Sequence, residues 1–134
     1  MGILDSLHEK FTDEIIEELL HALDELDLDC EALSLGLLRP DTHAKDAKRL
    51  RKLFLHFSDL CLYLQLGLLS EFCALVIDIL NDFLALDKPA SDELVDWLIL
   101  VSAQVNKYKQ DLEQNAQMLS VLDVKIARLP ENLA

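Results

Sequence analysis

The chain has 134 residues, a formal charge of −13, only three Gly and three Pro, and 6% aromatic residues. That length builds one domain with one core, and few turn formers beside abundant Leu predict an all-α chain rather than a sheet protein. So negative a surface repels phosphate backbones, which excludes nucleic acid as an expected partner.

Ser6 followed by Glu9 has the capping-box pattern of a short leading helix. Thr12, followed by Asp13 and Glu14, caps the first main helix, with acids placed favourably at its positive end. Ile15, Ile16, Leu19, Leu20, Leu23 and Leu26 recur along it at helical spacing. From residue 13 to residue 31 the chain has many acids and no Lys or Arg. Residues 30–40 read as a connector with a turn or more of helix, closed by Pro40. The one basic cluster follows: Arg39, Lys45, Lys48, Arg49, Arg51 and Lys52. It either offsets the acidic first helix within the fold or docks an acidic partner.

The second main helix is expected over residues 42–66. Leu50, Leu53, Phe54, Phe57, Cys61 and Leu64 form its core stripe, and Leu55, Leu62 and Leu66 lie opposite, around Asp59. A helix apolar on two faces is central to its domain or has a partner. Residues 53–87 hold no Lys or Arg, yet Asp59, Glu71, Asp78 and Asp82 interrupt them. A bilayer span needs about 20 nearly unbroken apolar residues, so no membrane segment is expected. Gly67 ends the second helix, and Ser70 is a cap for the third, with Phe72, Val76, Ile79, Leu80 and Phe83 as its core.

Ser91 caps the fourth helix after Lys88-Pro89. Leu94, Leu98, Val101, Val105, Tyr108, Leu112, Asn115, Leu119, Leu122, Ile126 and Leu129 then alternate spacings of four and three, a heptad seam. Such a helix would run roughly 55 Å against about 35 Å for the second. Its last third must overhang, fold back as a separate helix, or pair with a second copy. Residues 1–112 are therefore read as the bundle and 113–134 as a C-terminal helical extension and tail. Leu112, Leu119, Leu122 and Ile126 are the expected oligomer seam of a homodimer.

No metal or catalytic signature is present. The four His residues fall in no metal motif, and Cys30, Cys61 and Cys73 form no CxxC pair. Cys61 and Cys73 sit among apolar residues and read as buried, reduced thiols, which places the chain in a reducing, cytoplasmic setting. No Gly-rich phosphate loop exists, so no cofactor or enzymatic activity is expected.

Leu53-Phe54 leads into a mid-helix polar site. Gly67 follows, then a third helix with Asp78, then the Lys88-Pro89-Ala90-Ser91-Asp92-Glu93-Leu94-Val95-Asp96-Trp97-Leu98 entry to a fourth. This arrangement, over roughly residues 11–112, resembles the histidine phosphotransfer (HPt) domain, most closely the N-terminal phosphotransfer domain of chemotaxis-type histidine kinases. The resemblance implies an up-and-down four-helix bundle, to which the residues add a short N-terminal helix and a long C-terminal helix, and a response-regulator receiver docking over a phosphoacceptor His. In that family the His begins a His-x-x-Lys-Gly pattern. With His56 as acceptor, Asp59 stands where Lys belongs and Leu60 where Gly belongs. With Leu53-Phe54 setting the register, Ser58 takes the His position, Cys61 that of Lys and Leu62 that of Gly.

The expectation is a non-catalytic protein–protein interaction module, a degenerate HPt-like domain in a two-component or chemotaxis-like pathway. Leu55, His56, Asp59, Leu62, Tyr63 and Leu66 form its binding face, and the partner is a receiver or a signalling kinase. Two alternatives stand beside it: active phosphotransfer through His56, and a structural homodimer unrelated to signalling. The surroundings of His56 discriminate: an exposed ring on a flat polar surface favours phosphotransfer, a ring under Leu and Tyr opposes it.

Overall fold

A computed structural model describes all 134 residues. It is helical, without strands: α1 (Ile3–Lys10), α2 (Asp13–Gly36), α3 (His43–Tyr63), α4 (Gly67–Leu86), α5 (Asp92–Glu113) and the single turn α6 (Val124–Ala127). None is long and apolar enough to cross a membrane. α2 packs along both α3 and α5, α3 packs along α4, α1 touches α2, and α6 touches α5.

The caps explain two of the helix starts. Thr12 Oγ1 accepts from the Ile15 N–H, and Ser91 Oγ accepts from the Leu94 N–H at 3.0 Å, each quieting a donor that the helix itself leaves unpaired. Elsewhere the ends differ from expectation. α2 continues through the expected connector to Gly36. Buried Cys30, Ser34 and Leu37 carry its inner face onward at helical spacing, and Ser34 returns its hydroxyl to the Cys30 carbonyl at 2.6 Å. α4 starts at Gly67 rather than after Ser70, whose hydroxyl instead donates to the Gly67 carbonyl. α1 likewise starts before Ser6, whose hydroxyl donates to the Gly2 carbonyl.

Ile16, Leu19, Leu23 and Leu26 of α2 meet Leu50, Phe54 and Phe57 of α3 in the core, with Leu69, Val76, Leu80 and Phe83 of α4 and Leu94, Leu98, Val101 and Val105 of α5. Edge-on aromatic contacts link three helices: Phe54–Phe72 at 6.2 Å and Phe72–Tyr108 at 5.3 Å between ring centroids. Polar contacts tie α5 to α2 at the surface. Lys109 Nζ lies 3.4 Å from Asp24 and 3.5 Å from Asp27, and the Asn106 amide donates to Asp27.

The heptad reading of the C-terminal quarter is corrected. α5 ends at Glu113 and Asn115 turns the chain at φ 51°, a left-handed conformation that Asn tolerates better than most residues. Residues 116–134 then run back along α5 as a mostly non-helical strap. The Ser120 N–H donates to Asp111 at 2.7 Å, and the Gln104 side chain binds the Val121 carbonyl and the Asp123 N–H. The Trp97 indole N–H donates to the Ile126 carbonyl at 3.0 Å, and the Ser91 N–H reaches the Leu133 carbonyl at the far end. Leu112 and Ile126 are fully buried, and Leu119 and Leu122 half-buried, within the chain's own core. These four residues therefore form no exposed seam. The 3.5-residue spacing was satisfied by residues on two antiparallel segments rather than on one helix.

Asn115 also fastens the other terminus. Its amide donates to Asp5 at 2.8 Å, its Oδ1 accepts from the Asp5 N–H, and the Ile3 N–H binds the Ala116 carbonyl at 2.8 Å. The Asn115 amide first, then the Gly2 N–H, hold the Asp5 carboxyl below its ordinary range. Gly2 is buried here, and a Cβ on it would overlap the Asn115 carbonyl oxygen. Gly2→Ala is therefore expected to lower stability by about 1–3 kcal/mol, as overpacking does. Gly67→Ala is the control, because its Cβ meets nothing within 4 Å. Denaturant melts of both variants check this, and equal midpoints would place the first turn of α1 elsewhere.

Candidate functional site

The six expected binding residues divide between the outer strip of α3, its flank and the turn after it. Leu55, Asp59 and Leu62 recur at spacings of four and three and are exposed; Leu62 keeps 62% of its surface. This strip is continuous with exposed Lys48 and Lys52 toward the start of α3. It is thus basic at one end and apolar at the other. His56 and Tyr63 lie on the flank facing the start of α2. The Tyr63 ring, 64% exposed, sits 5.8 Å from Phe11, and His56 Nε2 lies 3.9 Å from Glu18. Leu66 is half-buried in the α3–α4 turn, where its N–H binds the Cys61 carbonyl and Gln65 takes a positive φ of 60°.

His56 itself is exposed, not covered by Leu or Tyr. Its nearest charged partner is an acid, Glu18, and Asp59 stands one turn further along the same helix. A phosphoryl group on this ring would meet two carboxylates, and like charges disfavour one another. Lys52, one turn before His56, is the nearby cation on α3. In the other register the acceptor position is closed. Ser58 keeps only 8% of its surface and Cys61 none, and burial raises the Cys61 thiol well above its ordinary range. Leu62 then projects a large apolar side chain where the family pattern has Gly.

The basic cluster is partly consumed inside the fold. Arg49 pairs with Glu25 at 2.6 Å, joining α3 to α2, and Arg51 donates to Asn81 at 3.0 Å, joining α3 to α4. No group of three His, Cys, Asp or Glu side chains converges to hold a metal ion.

One feature escaped the sequence pattern. An apolar groove of about 450 Å³ opens between α4 and the strap, with Phe72 and Tyr108 among its lining residues. A neighbouring hollow of about 340 Å³ shares Leu68, Met118 and Leu119 with it and reaches Leu66. The available signal was the trio Gln114, Asn115 and Gln117, which interrupts the apolar heptad series.

No family model, curated protein or solved structure matches the chain.

Proposed function

We propose that the protein is a non-catalytic interaction module, with α2–α5 forming an up-and-down four-helix bundle of HPt type that docks a signalling protein on the outer strip of α3. The carrying observation is the pair Leu55 and Leu62. Two large apolar side chains stand exposed two turns apart on one strip, beside exposed Tyr63. Apolar surface of this kind gains by burial, at about 25 cal/mol per Å², and aromatic residues such as Tyr are enriched at interfaces. The neighbour pattern of α2 with α3 and α5, and of α3 with α4, supports the bundle. The partner expected from the resemblance is a receiver domain or a signalling kinase. Lys48 and Lys52 at the basic end of the strip favour an acidic partner surface. Three buried, unpaired thiols fit a reducing, cytoplasmic setting.

The test is a binding titration against receiver and kinase domains, with Leu62→Glu and Leu28→Glu compared. Leu28 is exposed on α2, away from the strip. Leu62→Glu is expected to weaken binding about tenfold or more, equivalent to ~1.4 kcal/mol, with Leu28→Glu unchanged. Equal affinity for both variants would remove α3 from the interface.

A second reading, phosphotransfer through His56, is favoured by one observation: the ring is open to solvent, with Lys52 one turn away. The acids Glu18 and Asp59 beside it weigh against that reading. Self-association remains a proposal for the α3 strip alone, since the C-terminal residues meant for a seam are packed against the chain's own core.

A further inference from the structure

The α4–strap groove is separate from the α3 strip and has its own chemistry. Leu68 and Leu75 of α4 form one wall, seven residues or roughly 10 Å apart along the helix. Met118 and Val121 of the strap form the other. Phe72 and Tyr108, both nearly buried, lie between. Leu68 is 67% exposed, Met118 79% and Val121 88%. Side chains of this size held in solvent on both lips of one groove make a docking surface rather than scattered surface residues.

The strap is anchored to α5 on either side of Val121. Its polar backbone groups at Ser120, Val121 and Asp123 are bound to Asp111 and Gln104 of α5. Between Ser120 and Asp123 those bonds interrupt the backbone that an extended strand would pair with. A groove two helical turns long, walled by a helix and a fixed strap, suits an inserted helix with apolar anchors at positions i, i+4 and i+7. Met118 adapts to irregular anchors, as flexible thioethers do.

Charge selects among helices. Glu71 lines the groove, and Asp78 follows two turns along the same α4 face. Neither α4 nor residues 114–124 contain a Lys or Arg. A second copy of this chain would bring a net charge of −13 against another −13. An anionic membrane surface would be repelled likewise. We propose that the α4–strap groove binds an amphipathic helix of a partner protein, with apolar residues on one face and Lys or Arg flanking it.

The probe is a synthetic helical peptide with Leu at positions i, i+4 and i+7 and Lys on both flanks. A matched peptide has Glu in place of each Lys. The cationic peptide is expected to bind the full-length protein, to shift the Met118 methyl resonance, and to weaken as salt rises. The Glu peptide is expected to bind about tenfold more weakly or worse. Val121→Lys is expected to lower affinity for the cationic peptide by a similar factor, while Leu62→Glu leaves it unchanged. Val121 is almost wholly exposed, so this variant should keep the wild-type circular dichroism. Absence of binding, equal binding of the two peptides, or loss in Leu62→Glu instead of Val121→Lys would each overturn the proposal. So would sedimentation showing a dimer that buries the groove.

Discussion

Raising the pH from 8 to about 10.5 is expected to bring the folded protein to the edge of unfolding. Cys30, Cys61 and Cys73 are fully buried and unpaired. Burial pushes the Cys30 thiol up to about 11 and the Cys73 thiol to about 12, and it raises Cys61 as well. In the unfolded chain a thiol ionises near 8.5. Because the folded values are raised, the unfolded state releases these protons first. The stabilising contribution is fully present below about pH 8.5 and is lost as pH climbs through the folded values. Each thiol then removes about 1.4 kcal/mol per pH unit, so three remove about 4 kcal/mol per unit. Over two units that is roughly 8 kcal/mol, comparable with the whole stability of a domain, about 5–15 kcal/mol. Denaturant melts at successive pH values measure the slope. The variant Cys30→Ala/Cys61→Ala/Cys73→Ala should start less stable and lose much less with rising pH. Wild-type stability that stays level to pH 10.5 would contradict the burial of these thiols.

Phe57→Ala and Phe83→Ala are each expected to cost about 3–5 kcal/mol, as truncation of a packed aromatic ring does. Phe57 faces the core from α3 and Phe83 from α4, and both are almost inaccessible to solvent. His43 meets Phe83 edge-on at 6.2 Å, so this ring also supports the start of α3. Leu62→Ala, on the outer strip, should stay within about 0.5 kcal/mol of wild type. Losses under about 1 kcal/mol at the two Phe positions would mean that α3 and α4 are rotated from the faces described.

The faces of α3 and α4 were legible because their apolar residues follow helical spacing without interruption and both helices are buried along one side. Leu50, Leu53, Phe54, Phe57, Cys61 and Leu64 are all buried, and Leu55 and Leu62 are exposed opposite them, as the spacing predicted, whereas Leu66, expected with those two, is half-buried in the turn because α3 ends at Tyr63. Thr12 and Ser91 announced their helices because a capping hydroxyl acts locally. The strap was illegible for the converse reason. Leu119, Leu122 and Ile126 keep the same spacing as the seam of α5, and periodicity alone cannot tell one helix from two antiparallel segments that share a core. What decides is the sum of distant bonds, from Gln104, Asp111 and Trp97 to the strap and from Asp5 to Asn115. No local pattern records them. The groove beside the strap was hidden with it. The exposure of His56 was equally beyond spacing, since it lies at the boundary between the core stripe and the outer strip.

The most direct test is to incubate the protein with a phosphorylated receiver domain and follow the phosphate. The proposed module predicts a complex that weakens in Leu62→Glu, with the phosphate remaining on the receiver or lost to water. An acid-labile, base-stable phosphate on this chain that disappears in His56→Gln would contradict it.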